Sequence, residues 1–192
     1  MIKYIILIIF FYCLIYIYYN YVLIRVQSFD NLKFTIYNDT PENIKYKIEL
    51  LNTVIKNMYI LKSHLVNNIN NFPEYKIYIN QLNENFNSVR TQIYETNPLS
   101  SYTSYSINKG SELSICLKSK SNNTYHDINL LMYVAIHEMA HFANPNLGHD
   151  ELFSTIFKKF IEEAVKLNLY KIVDYKKTPI EYCGLTLNTS IV

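Results

Sequence analysis

The chain has 192 residues, with 18 Lys and Arg against 16 Asp and Glu, only three Gly and no Trp. Setting aside an apolar N-terminal segment leaves about 165 residues, room for one domain with a real core. Without the Lys3 and Arg25 that flank that segment, 16 basic groups face 16 acidic ones, and this neutrality argues against nucleic acid as a partner.

Residues 4–24 carry no charge and are filled with Ile, Leu, Phe and Tyr. At about 1.5 Å per residue they reach across a bilayer core of about 30 Å, so they read as one transmembrane helix in contact with membrane lipid. A cleaved signal peptide has a shorter apolar region and ends in small residues, which are absent before Val26. The expected organisation is an N-terminal membrane anchor over 1–26 and a single domain over 27–192. Orientation is left open by Lys3 on one side and Arg25 and Lys33 on the other.

Residues 42–69 show helical spacing of Ile48, Leu51, Ile55, Met58 and Leu65, with Pro41 at the start. Pro73 breaks the chain, and a shorter helix is expected over 74–90. After Pro98 the period changes to two. Tyr102–Ile107 and Glu112–Lys118 read as strands of a β-hairpin joined by Asn108-Lys109-Gly110-Ser111. The segment from Ile115 to Lys118 is a hypothetical edge for an extended peptide; a purely structural hairpin is the equal alternative.

Next comes an apolar run from Ile128 to Ala140, with Asp127 placed as N-cap, and inside it His137-Glu138-Met139-Ala140-His141. Two histidines four apart lie on one helix face, so both imidazoles can reach one ion. A helix apolar almost all round is buried, and polar groups inside it need a reason. Zinc supplies one: a catalytic site uses three protein ligands and leaves the fourth position to water. Glu138 reads as the base for that water rather than as a ligand.

His149 is favoured as third ligand, because Pro145 and Gly148 turn the chain back after the motif helix. Glu162 or Glu163, on a second helix over Glu151–Leu169, is the alternative. Asp150 either orients an imidazole or caps that second helix. Phe153, Phe157, Phe160, Ala164 and Leu167 mark its packed face. In the tail, Tyr175 and Tyr182 are candidate oxyanion donors, with packing the commoner role for either. Cys13 lies in the apolar segment, so Cys116 and Cys183 are the pair left to the domain, equally compatible with a disulfide and with two reduced thiols.

The string His137–His141 followed by Gly148-His149-Asp150-x-x-Phe153 resembles the WLM and SprT-like zinc metallopeptidases. The wider pattern is similar to predicted membrane-anchored metallopeptidases of large DNA viruses: an N-terminal span, Asn108-Lys109-Gly110, Ile115-Cys116-Leu117 and Tyr182-Cys183-Gly184. The resemblance implies an α+β, mainly helical zincin-like domain, zinc held by His137, His141 and His149, and Glu138 as catalytic base. The expectation is a single-pass protein of a host or virion membrane that hydrolyses peptide bonds in a protein or peptide substrate. The alternative is a non-catalytic viral membrane or virion protein whose zinc is structural and which acts by binding partners.

Overall fold

The computed structural model describes residues 2–21, 23–27 and 33–189. An N-terminal helix α1 (Ile2–Tyr21) leads into β1 (Leu23–Gln27) and β2 (Lys33–Tyr37). The apolar segment expected as a span over 4–24 is therefore cut at Tyr21. Leu23 and Ile24 give their backbone groups to antiparallel pairing with Tyr37 and Ile36 instead, a ladder that no membrane-crossing helix could share. Among the described residues, no helix is long and apolar enough to cross a membrane.

The expected long helix is α2 (Pro41–Asn67), entered through Thr40, whose Oγ1 accepts from the Asn43 N–H. Leu51, Ile55, Met58 and Leu65 are buried as their spacing requires, and Ile48 is half-buried. The next helix is shorter than the 74–90 reading: a 3₁₀ turn over Pro73–Tyr75 precedes α3 (Lys76–Asn85). It stops there because Asn87 Oδ1 takes the N–H groups of Val89 and Arg90 into a turn.

The hairpin between Pro98 and the motif is present as β4 (Tyr105–Ile107) and β5 (Glu112–Ile115), each trimmed from its expected length. It belongs to a larger sheet whose remaining strands escaped the sequence reading. The order is β1-β2-β3-β5-β4, with β3 spanning Gln92–Glu95; β2, β3 and β5 run parallel and β1 and β4 close the ends antiparallel. One expectation is overturned here. The outer strand is β4, while β5 is paired on both sides through Ser114 and with β3 through Ile115, and it ends there, so the stretch from Ile115 to Lys118 is not an outer strand of the sheet.

The motif helix α4 (Ile128–Ala143) begins at Asp127, whose carboxylate accepts from Asn129 and Leu130 N–H. It packs against α2, α3 and α5 and against β4 and β5, which is why an apolar sequence on all its faces is tolerated. The last long helix, α5 (Glu151–Lys166), buries Phe153, Phe157, Phe160 and Ala164 and ends where Asn168 turns left-handed. A small hairpin, β6 (Ile180–Tyr182) and β7 (Leu185–Leu187), closes the described chain. Cys116 and Cys183 are joined, tying that hairpin to the end of β5 across 67 residues. Closing such a loop stabilises by about 4 kcal/mol on the chain-entropy account.

Candidate metal centre

α4 presents His137 and His141 one turn apart, and the loop after it returns His149 to meet them. The three Nε2 atoms stand 3.2 Å (His137–His141), 3.1 Å (His141–His149) and 3.0 Å (His137–His149) apart. Neutral imidazoles carry one N–H each, and three that point the same ring nitrogen at a common centre cannot satisfy one another in a closed triangle. Three nitrogens about 2.0–2.1 Å from a tetrahedral zinc lie roughly 3.3 Å apart. The cluster can hold a metal ion, and its spacing fits one of that size.

Electrostatics keep the ligands ready. Burial, then the neighbouring imidazoles, pushes the His137 pKa down to about 3, and burial with His149 and Lys109 takes His141 to about 4. Both rings are thus neutral, the form that ligates metal. Phe153 forms their floor, with its ring centroid 4.9, 4.4 and 4.8 Å from those of His137, His141 and His149.

The loop carrying His149 is built by polar side chains. Asp150 Oδ1 caps α5 by accepting from Phe153 N–H at 2.7 Å and also accepts from Asn144 Nδ2, while Oδ2 accepts from Asn146 Nδ2 at 2.6 Å. These donors, Phe153 first, hold the Asp150 carboxyl below its usual range. Asp150 therefore acts as the cap and loop clamp, and none of its hydrogen bonds goes to an imidazole. Gly148, at φ +81, makes the left-handed turn that brings His149 back.

The alternative third ligands lie elsewhere. Glu163 is buried on α5 and committed to His64 at 2.9 Å and to Lys159 and Lys166 at 2.8 Å each. Glu162 is outside the cluster that the three histidines form.

The metal cluster opens into a cleft of about 890 Å³ lined by Gln81, Glu84 and Asn85 on one side and by 103–106 on the other. Glu138 lies in the same cleft, 5% exposed. Burial pushes its carboxyl up to about 7, against the lowering effect of a hydrogen bond from Ser106. Sequence reasoning missed Ser106; the signal was present in Ser104 and Ser106, two small polar residues on one face of a strand beside the motif helix.

Neither candidate oxyanion donor lines the cleft, and both are buried, as the commoner packing role requires. Tyr182 donates to the Cys116 carbonyl at 3.1 Å and lies 2.5 Å from Ser104 Oγ; burial holds its hydroxyl far above the usual range. Tyr175 packs edge-on against Tyr133 at 4.9 Å.

With this geometry in view, the relatives bear on identity. A chain from Acanthamoeba polyphaga mimivirus, "Uncharacterized protein R325", is 43% identical over 143 residues, spanning 74% of this chain and 72% of the relative. This chain belongs to that protein's family. Two further proteins of similar sequence come from iridescent viruses. "Uncharacterized protein 136R" of Invertebrate iridescent virus 6 is 39% identical over 69 residues, covering 35% of this chain and 38% of its own. "Uncharacterized protein 042R" of Invertebrate iridescent virus 3 is 34% identical over 83 residues, covering 43% and 50%. No family model and no solved structure matches the chain. All three of these relatives are viral proteins.

Proposed function

We propose that the protein is a zinc-dependent peptidase with His137, His141 and His149 as ligands and Glu138 as general base. One observation carries this reading: three converging imidazoles, not four ligands, open into a cleft that also holds a buried carboxylate. Structural zinc sites are closed by four protein ligands, whereas catalytic ones keep a position open.

Zinc bound there would activate a water and polarise the scissile carbonyl. The chain's own part is the handling of protons and substrate. Glu138, with a carboxyl raised toward neutrality, suits taking a proton from the attacking water and returning it to the leaving amine. Ser106 keeps that carboxylate in place. β4, the outer strand and a wall of the cleft, would align an extended peptide through main-chain hydrogen bonds, a role that requires no particular side chain on the substrate.

The first helix supports membrane attachment. Its apolar side chains from Tyr4 to Tyr18 are 44–74% exposed, and they leave no polar face, so a lipid environment would cover what the domain does not. Flotation of the full chain with liposomes, lost on deletion of residues 2–21, is the expected result; a deleted chain that still floats would remove the attachment from α1.

Glu138→Gln tests the catalytic reading. It leaves the three ligands untouched and should lower hydrolysis of an unfolded protein substrate such as casein about 10²–10⁴-fold with zinc retained. Equal hydrolysis by the two proteins would remove Glu138 from the role of base, and none by a zinc-loaded wild type would favour the structural-zinc alternative.

A further inference from the structure

We propose that Lys109 is a positioning residue for the metal cluster, its ammonium group tying the β4–β5 turn to the loop that delivers His149. The inference rests on the zinc centre proposed above. His149 is exposed and lies two residues after Leu147, which is 87% exposed, so apart from the Phe153 ring beneath it packing does little to set its position. Hydrogen bonds must do so instead, and they reach the loop from two sides. Asp150 clamps the C-terminal side through Asn144 and Asn146. Lys109 takes the other.

Lys109 Nζ donates to the carbonyl oxygens of Asn144 at 2.7 Å, of Asn146 at 3.2 Å and of Pro145 between them. Three consecutive carbonyls converging on one point make a negative pocket, and a lysine ammonium has three N–H donors and no acceptor to fill it. The side chain gets there from an unusual backbone. Asn108 and Lys109 both have positive φ, 47° and 53°, a conformation that is uncommon outside glycine and persists only when the surroundings over-determine it.

The surroundings do so here. At Gly110, φ +105, a Cβ would come 2.7 Å from the Asn85 carbonyl oxygen, so the turn is seated directly on the end of α3. Asn85 in turn donates through Nδ2 to the Phe142 carbonyl in the last turn of α4, at 2.8 Å. The Asn-Lys-Gly turn, the end of the motif helix and the ligand loop are therefore one assembly. Asn108 and Lys109 line the same cleft as the histidines. A peptide aligned on β4 would thus lie on a strand whose turn also holds the third ligand in register.

The experiment is a zinc titration of the full chain against a chromophoric chelator, comparing wild type, Lys109→Met, His149→Ala and the double variant, with far-ultraviolet circular dichroism as the check on folding. Lys109→Met keeps the stem and removes the donors. It should weaken zinc about 10–100-fold, the range for groups that orient a ligand, and should change affinity little once His149 is already gone. Lys109→Arg, which keeps donors, should recover part of the loss. If Lys109→Met does not fold, Lys109→Gln carries the same comparison. Unchanged affinity in the folded variant, or an equal loss with and without His149, overturns the role of Lys109 while leaving the centre standing. No zinc in wild type overturns both.

Discussion

The two ends of α5 hold ionisable groups in opposite ways. Near its C-terminal end, Glu163 is 2% exposed and receives His64, Lys159 and Lys166, all within 2.9 Å. Burial pushes that carboxyl up, but the three donors outweigh it and hold it at about 2. Near the N-terminal end, the half-buried His137 and His141 and the exposed His149 meet one another and the rings of Phe153 and Phe157, and no acidic group pairs with them among the described residues. A set of charges whose needs are met internally is a structural cluster. One whose lone pairs converge on a shared point is built to take something in. The same contrast separates the histidine cleft from the Lys47 cluster at the ends of β2 and β3, where Asp39 at 3.3 Å and Glu95 at 3.0 Å neutralise the buried ammonium.

The comparison can be broken most forcefully at Phe153. Phe153→Ala opens a cavity under all three imidazoles and should cost about 3–5 kcal/mol of stability, measured by urea denaturation, together with a weaker zinc affinity. Stability lost without any change in zinc binding would reduce the ring to ordinary core.

Glu163→Ala should cost about 1.5–3 kcal/mol, because it removes a buried carboxylate that takes hydrogen bonds from three partly exposed side chains, and should leave zinc stoichiometry at the wild-type value. The sign of its pH dependence follows from the depressed carboxyl. Its contribution is present above about 4.5 and is lost as pH falls toward about 2, so the destabilisation caused by the variant should shrink over that window.

The smallest expected effect is at Glu138. Its raised carboxyl makes a contribution that is present below about 4.5 and lost as pH rises to about 7. Zinc-free Glu138→Gln should therefore melt higher than zinc-free wild type at pH 8, with the gap closing at pH 4. A gap of the same size at both values would mean that Glu138 is not held in an unfavourable ionised state.

The motif helix and its cap were legible because their determinants are local: His137 and His141 sit one turn apart, and Asp127 stands directly before the first apolar residue. His149 was legible for the same reason, with Gly148 turning a short loop. The sheet was not. Its strands are three to five residues long, two of its parallel pairings join segments separated by helices or loops, and β3 carries Glu95 at an inward position that looks wrong for a core until Lys47 is seen beside it. The Asn-Lys-Gly turn was visible as a turn, but the carbonyls that Lys109 holds lie 35 to 37 residues away. The pairing of Cys116 with Cys183 depended on distance in the fold in the same way. The apolar N-terminal segment was readable as a helix, while its end at Tyr21 was set by pairing with β2.

The most direct test of the central claim is zinc content per chain, by elemental analysis, in wild type, His149→Ala and Glu163→Ala. The account predicts one zinc in wild type and in Glu163→Ala, and loss of zinc in His149→Ala. Zinc retained without His149 and lost without Glu163, or no zinc in wild type, would contradict it.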